Sequence, residues 1–352
     1  MRSDPILRHV RHESSFDRTL WMAVLAAAIA IVLASFVRHP LFGGDGEASG
    51  FGRSLTVWVA SGEAGSQTEA VAHQVAACWD LDGRSVSVGV LPGSPTSAVV
   101  DFLRRPHRAP DELLVVTSTT LSDIAHAERE AIAAETRERA RQAARLLSNA
   151  PAVALIGSDP LTLAVRAGSP LDSTSALLSL LRAQSAQPLV GIAESSWLRG
   201  NLAVLAHSAG VEGQMPFSSF RSSREALASL GSSDVRVVLA PRSAVASDLH
   251  DGVAQVLSWP NTQAVSRRGA TGAVPQAWMA LLAPRGLSAA QLAGLHRQAT
   301  SLCTPTTWGR MLRSDGLRPA DGDSEVPRDF VRDSLGEAAQ LQQLASRVVR
   351  EY

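Results

Sequence analysis

The chain has 352 residues, with 33 basic and 33 acidic side chains and no net formal charge. That length suits about two domains, and the balanced charge leaves no electrostatic footprint for nucleic acid. Every strong cation is arginine, since the sequence contains no lysine, which excludes Schiff-base and Walker-loop chemistry.

Arg2, Arg8, Arg11 and Arg18 precede an uncharged run over 19–37 that Arg38 closes. As a helix this run would measure ~28 Å, close to the hydrocarbon thickness of a bilayer. Trp21 and Phe36 stand near its ends, where interfacial aromatics belong. The reading is a cytoplasmic N-terminus over 1–18, a transmembrane anchor over 19–37 and an extracytoplasmic remainder. A cleaved signal peptide is the rival. The run is long for a signal core, and no small-x-small site precedes Arg38 and Pro40, so an uncleaved anchor is favoured. Residues 38–53, with Gly43, Gly44, Gly46, Gly50 and Gly52, read as a flexible linker.

The ordered part begins with Leu55 to Ala60, an apolar run that predicts a buried strand. Ser61 to Ser66 form a small-residue turn, and Glu69 to Trp79 recur at helical spacing. A strand entering a helix this way presents unpaired N–H donors, which suit a carboxylate or phosphate. An ordinary strand-helix turn is the alternative, because no full glycine fingerprint is present. Ser85 to Leu91 is a second strand, Ser97 to Arg104 a short helix and Leu113 to Val116 a third strand. That strand ends in Thr117, Ser118, Thr119 and Thr120, hydroxyls that can cap the next helix or hold a ligand. Ser122 to Leu147 reads as one long solvated helix, with Glu135 and Arg139 as an i,i+4 pair.

Ala152–Ile156 and Leu161–Val165 read as two strands around Gly157, Ser158, Asp159 and Pro160. A second α/β series follows: helix Ser173–Arg182, strand Leu189–Ile192, turn Ala193–Arg199, helix Asn201–Ala209, a partly helical Phe220–Leu230, and strands Val235–Leu239 and Val253–Leu257. Trp278–Ala283 is a further strand, followed by helices at Ser288–Cys303, Thr306–Ser314 and Pro327–Val349. The alternation predicts an α/β chain with mostly parallel sheets. Cys78 and Cys303 suggest one disulfide in an oxidising space, with two buried thiols as the alternative. Nine histidines are scattered without ligand spacing, so neither a metal nor a cofactor is expected. No Gly-x-Ser-x-Gly elbow or His-Glu-x-x-His is present, and the chain does not read as an enzyme.

Four segments in order resemble the extracytoplasmic receptors of tripartite tricarboxylate transporters, the Bug-type solute-binding proteins. They are Val57 to Gln74; Val88 to Thr120, with Leu91-Pro92-Gly93-Ser94 and Val116-Thr117-Ser118-Thr119-Thr120-Leu121; Ala152 to Pro170; and Trp278-Met279-Ala280-Leu281-Leu282-Ala283-Pro284-Arg285-Gly286 with the helices after it. The resemblance implies a two-lobe periplasmic-binding-protein-like (type II) fold with hinge crossovers. Lobe 1 would be 54–159 and 265–352, and lobe 2 would be 160–264. It implies a small organic acid held between the lobes, its carboxylate bound by Ser61, Gly62, Gly65, Ser66, Ser118 and Thr119, and by Ser195 and Ser196 in lobe 2. Arg242 is a candidate bidentate partner for a second carboxylate. The partners implied are the ligand and transporter membrane subunits, or a sensor in an alternative reading where the same fold signals to a membrane partner.

The sequence departs from the family pattern at Glu63, Glu194, Trp197, Leu198 and Arg199, at Ser218 and Ser219, and at Ala240, where many members carry an aspartate. The fold is therefore expected to be kept while the pocket is altered.

Overall fold

The structure, a computed structural model, describes residues 54–60, 67–80, 85–105, 111–183, 189–211, 215–230, 235–259, 274–302, 308–314, 317–320, 326 and 329–351. The expected anchor over 19–37 and the turn over 61–66 lie outside the described residues. Among the described residues, no helix is long and apolar enough to cross a membrane.

Strands β1 (Ser54–Val59), β2 (Ser85–Val90) and β3 (Glu112–Thr117) are parallel and lie in the order β2-β1-β3. Helices α1 (Gln67–Asp80) and α2 (Pro95–Arg104) connect them. Period-two alternation sets their two faces. Val57, Leu113 and Val115 enter one core with α1, whereas Leu114 and Val116 enter another with α2. Helices α3 (Ser118–Glu130) and α4 (Ala134–Leu147) follow.

Strand β4 (Ala152–Arg166) then joins two sheets. Its first part, Ala152 to Pro160, pairs with the antiparallel strand β9, and its second part, Leu161 to Arg166, pairs with β7 and β8. The second sheet is built from β5 (Val190–Ala193), β6 (Met215–Phe220), β7 (Val237–Pro241) and β8 (Ala254–Leu257), with helices α5 (Thr174–Ala183), α6 (Ser196–Ser208), α7 (Ser223–Ser229) and α8 (Arg242–His250) between strands. Strands β6, β5 and β7 run parallel. The chain returns through β9 (Gln276–Leu282), which fills the gap between β3 and β4. Helices α9 (Ala289–Leu302) and α10 (Trp308–Ser314), the short strand β10 (Arg318–Pro319), the long helix α11 (Phe330–Val348) and strand β11 (Val349–Glu351) complete it.

Helix α11 serves both halves. Phe330, Val331 and Ala338 sit in the core with α2, α3 and α4, while Ala345 and Val349 sit in the core of the second sheet. Phe330 also meets Trp278 of β9 edge-on, with ring centroids 4.8 Å apart. The last residues, expected with the first lobe, instead pair with β6 as β11. Their parallel register against Met215, Pro216 and Phe217 follows from the direction in which α11 delivers them.

Other elements differ from expectation. The long helix is two helices, α3 and α4, broken at 131–133. No glycine or proline marks the break. It lets both apolar stripes, Leu121–Ile124–Ala125 and Ala143–Leu147, face the same core. The Arg137 guanidinium donates to the Ala131 carbonyl at 2.6 Å and so satisfies the backbone there. Arg139 reaches Ser97 Oγ at 3.2 Å rather than pairing with Glu135, and Arg145 pairs with Glu138. The two strands around Gly157–Pro160 are one continuous β4, bent by register shifts between Ala152 and Gly157. Proline is tolerated there because β4 changes partners at that point, and Leu161 N donates to Pro275 O at 2.8 Å. Helix α6 starts at Ser196, inside the stretch read as a turn. Trp197 and Leu198, two departures from the family pattern, are buried in the second core. Strand β6 and helix α8 fall in stretches with no clear period.

Candidate ligand-binding site

Helices α3, α6 and α8 each begin at the C-terminal end of a parallel strand, respectively β3, β5 and β7. A helix start leaves backbone N–H donors unpaired, and this edge of an open α/β sheet is where ligands dock. The chain's own side chains already occupy much of it.

At the start of α3, Thr117 is the N-cap, and its Oγ1 accepts from Thr120 N at 3.1 Å. Thr120 Oγ1 shares a second hydrogen bond with the same oxygen. Capping thus uses two of the four hydroxyls. Ser118 is buried and its Oγ has no partner. Thr119 beside it is half-buried.

At the start of α6, Ser195 is the N-cap, with Oγ accepting from Leu198 N at 3.3 Å. The Ser196 hydroxyl donates to Asp123 Oδ1 of α3 at 2.5 Å. Burial pushes the Asp123 carboxyl above the usual carboxylate range, and hydrogen bonds from the Ser196 hydroxyl and backbone pull it back. Gln342 of α11 donates to the Ser196 carbonyl at 2.8 Å, so three helices meet here. One turn further along α3 is His126. Burial lowers its pKa, the Arg199 guanidinium of α6 lowers it further, and Glu130 opposes both. His126 Nδ1, Arg199 Nε, Ser122 Oγ and Ser334 Oγ are buried with no hydrogen-bond partner.

At the start of α8, the N-cap is Pro241, whose side chain offers no acceptor. Asp159 of β4, only 2% exposed, supplies one instead. It accepts from Ser243 N at 3.2 Å and from Ser243 Oγ at 2.6 Å. Helix α7 caps itself: Ser222 Oγ accepts from Glu225 N and Glu225 Oε2 accepts from Arg221 N, a variant of the capping box.

Of the residues expected at a site, Ser61, Gly62, Gly65 and Ser66 lie outside the described residues. Ser118 and Thr119 open α3, and the Asp123–Ser196 bond brings that helix against the start of α6. The hydroxyls of Ser195 and Ser196 are both engaged within the chain. Arg242 is the first residue of α8 and is exposed, and Glu194 is exposed as well. Cys78 is buried, with Sγ 3.7 Å from Met311 Sδ, and Cys303 lies outside the described residues. Among the described residues, no cluster of three or more His, Cys, Asp or Glu could hold a metal.

Asp123 and Asp159 were not singled out in the sequence. Asp123 was hidden in a charge-rich helix and Asp159 in a segment read as a turn. Their signal was an acidic residue flanked by apolar neighbours: Leu121 and Ile124 around one, Ile156 and Leu161 around the other.

No family model and no curated protein matches the sequence. Solved structures do match its fold. The Rpa4515 protein of R. palustris, solved with adipate, is 17% identical, with 84% of this chain and 99% of that one covered and a TM-score of 0.60. MatC of Rhodopseudomonas palustris, with bound malate, is 18% identical over 82% of this chain and 99% of its own, at a TM-score of 0.58. A TctC solute-binding protein from Polaromonas is 15% identical over 83% and 98%, at 0.59. Two sheets joined through β4, with helix starts gathered at their strand ends, therefore make an α/β periplasmic-binding-protein-like fold.

Proposed function

We propose that this chain is an extracytoplasmic solute-binding protein of the tripartite tricarboxylate transporter type, tethered by its N-terminal segment. It captures a small organic acid between two lobes that meet at β4 and β9, 54–159 with 265–352 and 160–264, apart from β11, which joins the second sheet. The observation that carries this reading is the extent of the likeness. It covers 99% of the Rpa4515 structure, solved with adipate, and 99% of the MatC structure, with bound malate. The buried, unpartnered Ser118 hydroxyl at the first turn of α3 supports it, since a helix start favours an anion and a spare hydroxyl can donate to a carboxylate. Ser118 and Thr119, with the turn 61–66, hold the carboxylate on the lobe-1 side. Closure around ligand is a hinge motion at the two strands that link the lobes.

A thermal-shift panel of mono-, di- and tricarboxylates, amides and amino acids tests the reading. Ligand at 100 times its Kd stabilises by about 2.7 kcal/mol. Membrane fractionation tests the tether: a shortened, soluble product would reject it. If no panel member moves the midpoint, uptake gives way to the alternative, a signalling protein that uses the same fold.

A further inference from the structure

We infer that Asp123 acts as a built-in substitute for a ligand carboxylate on the second lobe, so that the external ligand carries a single carboxylate, held by the first lobe, and an uncharged or cationic far end. This deepens the solute-binding reading and rests on it.

The argument starts from the edge of the second sheet. Strands β6, β5 and β7 are parallel neighbours, so the helices that follow them all start along one edge. Each start already has an acceptor. Asp123 takes the Ser196 hydroxyl of α6, Glu225 and Ser222 cap α7, and Asp159 takes Ser243 N and Oγ of α8. Two of these acceptors do not belong to the second sheet's own connections. Asp123 comes from α3, behind the first sheet, and Asp159 lies on the part of β4 that pairs with β9. Carboxylates from the first half are therefore seated on helix starts of the second, the position an anionic ligand would otherwise take.

A second carboxylate arriving here would find the donors used and two like charges in place. Desolvation makes that repulsion stronger than in water. An amide, hydroxyl or ammonium end meets no such penalty, and the Asp123 carboxyl can accept a further hydrogen bond from it. The first half offers the opposite environment. The start of α3 keeps a buried hydroxyl, Ser118 Oγ, with no partner, and one carboxylate fits there.

The test uses the full-length chain and matched pairs of diacid and monoamide: succinate with succinamate, glutarate with glutaramate, and adipate with adipamate, plus 6-aminohexanoate. Binding is read by calorimetry for the wild type, Asp123→Ala and the near-isosteric Asp123→Asn. The wild type should prefer the monoamide or amino acid over its diacid by tenfold or more. Asp123→Ala should recover diacid affinity by a similar factor, with Asp123→Asn between them, and this would support the assignment even if the alanine variant folds poorly. Wild-type preference for a diacid, with that preference lost in Arg242→Ala, would overturn this inference and leave the receptor reading standing. Absence of binding for every member of the series, and for the wider panel, would overturn both.

Discussion

Asp159 offers the most direct measurement of how the two sheets are held in register. It is almost fully buried on the strand they share, and it accepts two hydrogen bonds from Ser243, through N at 3.2 Å and Oγ at 2.6 Å. Hydrogen bonds to a charged acceptor contribute about 1.5–3 kcal/mol each, and removing one partner of a buried charged network costs about 3–5 kcal/mol. Asp159→Ala deletes both hydrogen bonds to the half-buried Ser243 and removes the cap of α8, so it should lie at about 3–5 kcal/mol. Ser243→Ala keeps the amide bond to Asp159 and removes the hydroxyl bond, at about 1.5–3 kcal/mol. The double variant should cost less than the sum of the two, because both delete the same bond. Urea unfolding with an unchanged m-value reads these numbers from the midpoint. A cost below about 1 kcal/mol for Asp159→Ala, or strict additivity in the double variant, would show that α8 does not depend on this anchor.

Four further measurements follow from the same structure. Because the His126 pKa is lowered in the fold by burial and by Arg199, the unfolded chain takes up that proton first, so stability held above about pH 6.5 is lost as pH falls below it. The thermal midpoint should therefore decline on acidification from pH 7 to 5, and His126→Gln should flatten the decline; an unchanged slope would reject the assignment. Asp123 works with the opposite sign. Its raised pKa makes its contribution fully present below the unfolded carboxylate range and lost as pH rises through the folded value, so Asp123→Asn should remove a component that favours acid. Gly157→Ala should destabilise by about 1–3 kcal/mol, since a Cβ there would stand 2.7 Å from the Arg318 carbonyl oxygen and 3.0 Å from Leu312 Cδ1; a neutral midpoint would mean that β10 does not lie against β4. Ser222→Ala should cost about 1 kcal/mol through loss of its N-cap bond to Glu225 N, measured by urea unfolding, and no change would show that Glu225 alone closes the first turn.

The sequence carried most of the strands and helices because period and end signals agreed over them, whereas β6, β10 and β11 left no such signal. Leu113 to Val116 was legible as a strand since a run of four apolar residues ends in hydroxyls. The start of helix α6 is obscured in sequence because Trp197, Leu198 and Arg199 follow the Ser195 that caps it. The break between α3 and α4 carries no breaker residue, so only tertiary packing reveals it. Strand β4 was read as two because Gly157 and Pro160 punctuate it, although both are used for a close approach and a change of partner. At the site, the hydroxyl cluster at 117–120 was visible, but which of its members is left over was not, since capping is decided by backbone geometry. Asp123 and Asp159 bond to residues 73 and 84 positions away, and local sequence patterning holds no record of such pairs.

Strand β11 also bears on how the chain is made. It pairs with β6, which is synthesised long before it. Until residues 349–351 emerge, that flank of the second sheet exposes a row of unsatisfied amides and carbonyls. Substitutions that weaken β11 should therefore act first on yield and aggregation during folding, before they change any equilibrium property of the finished molecule.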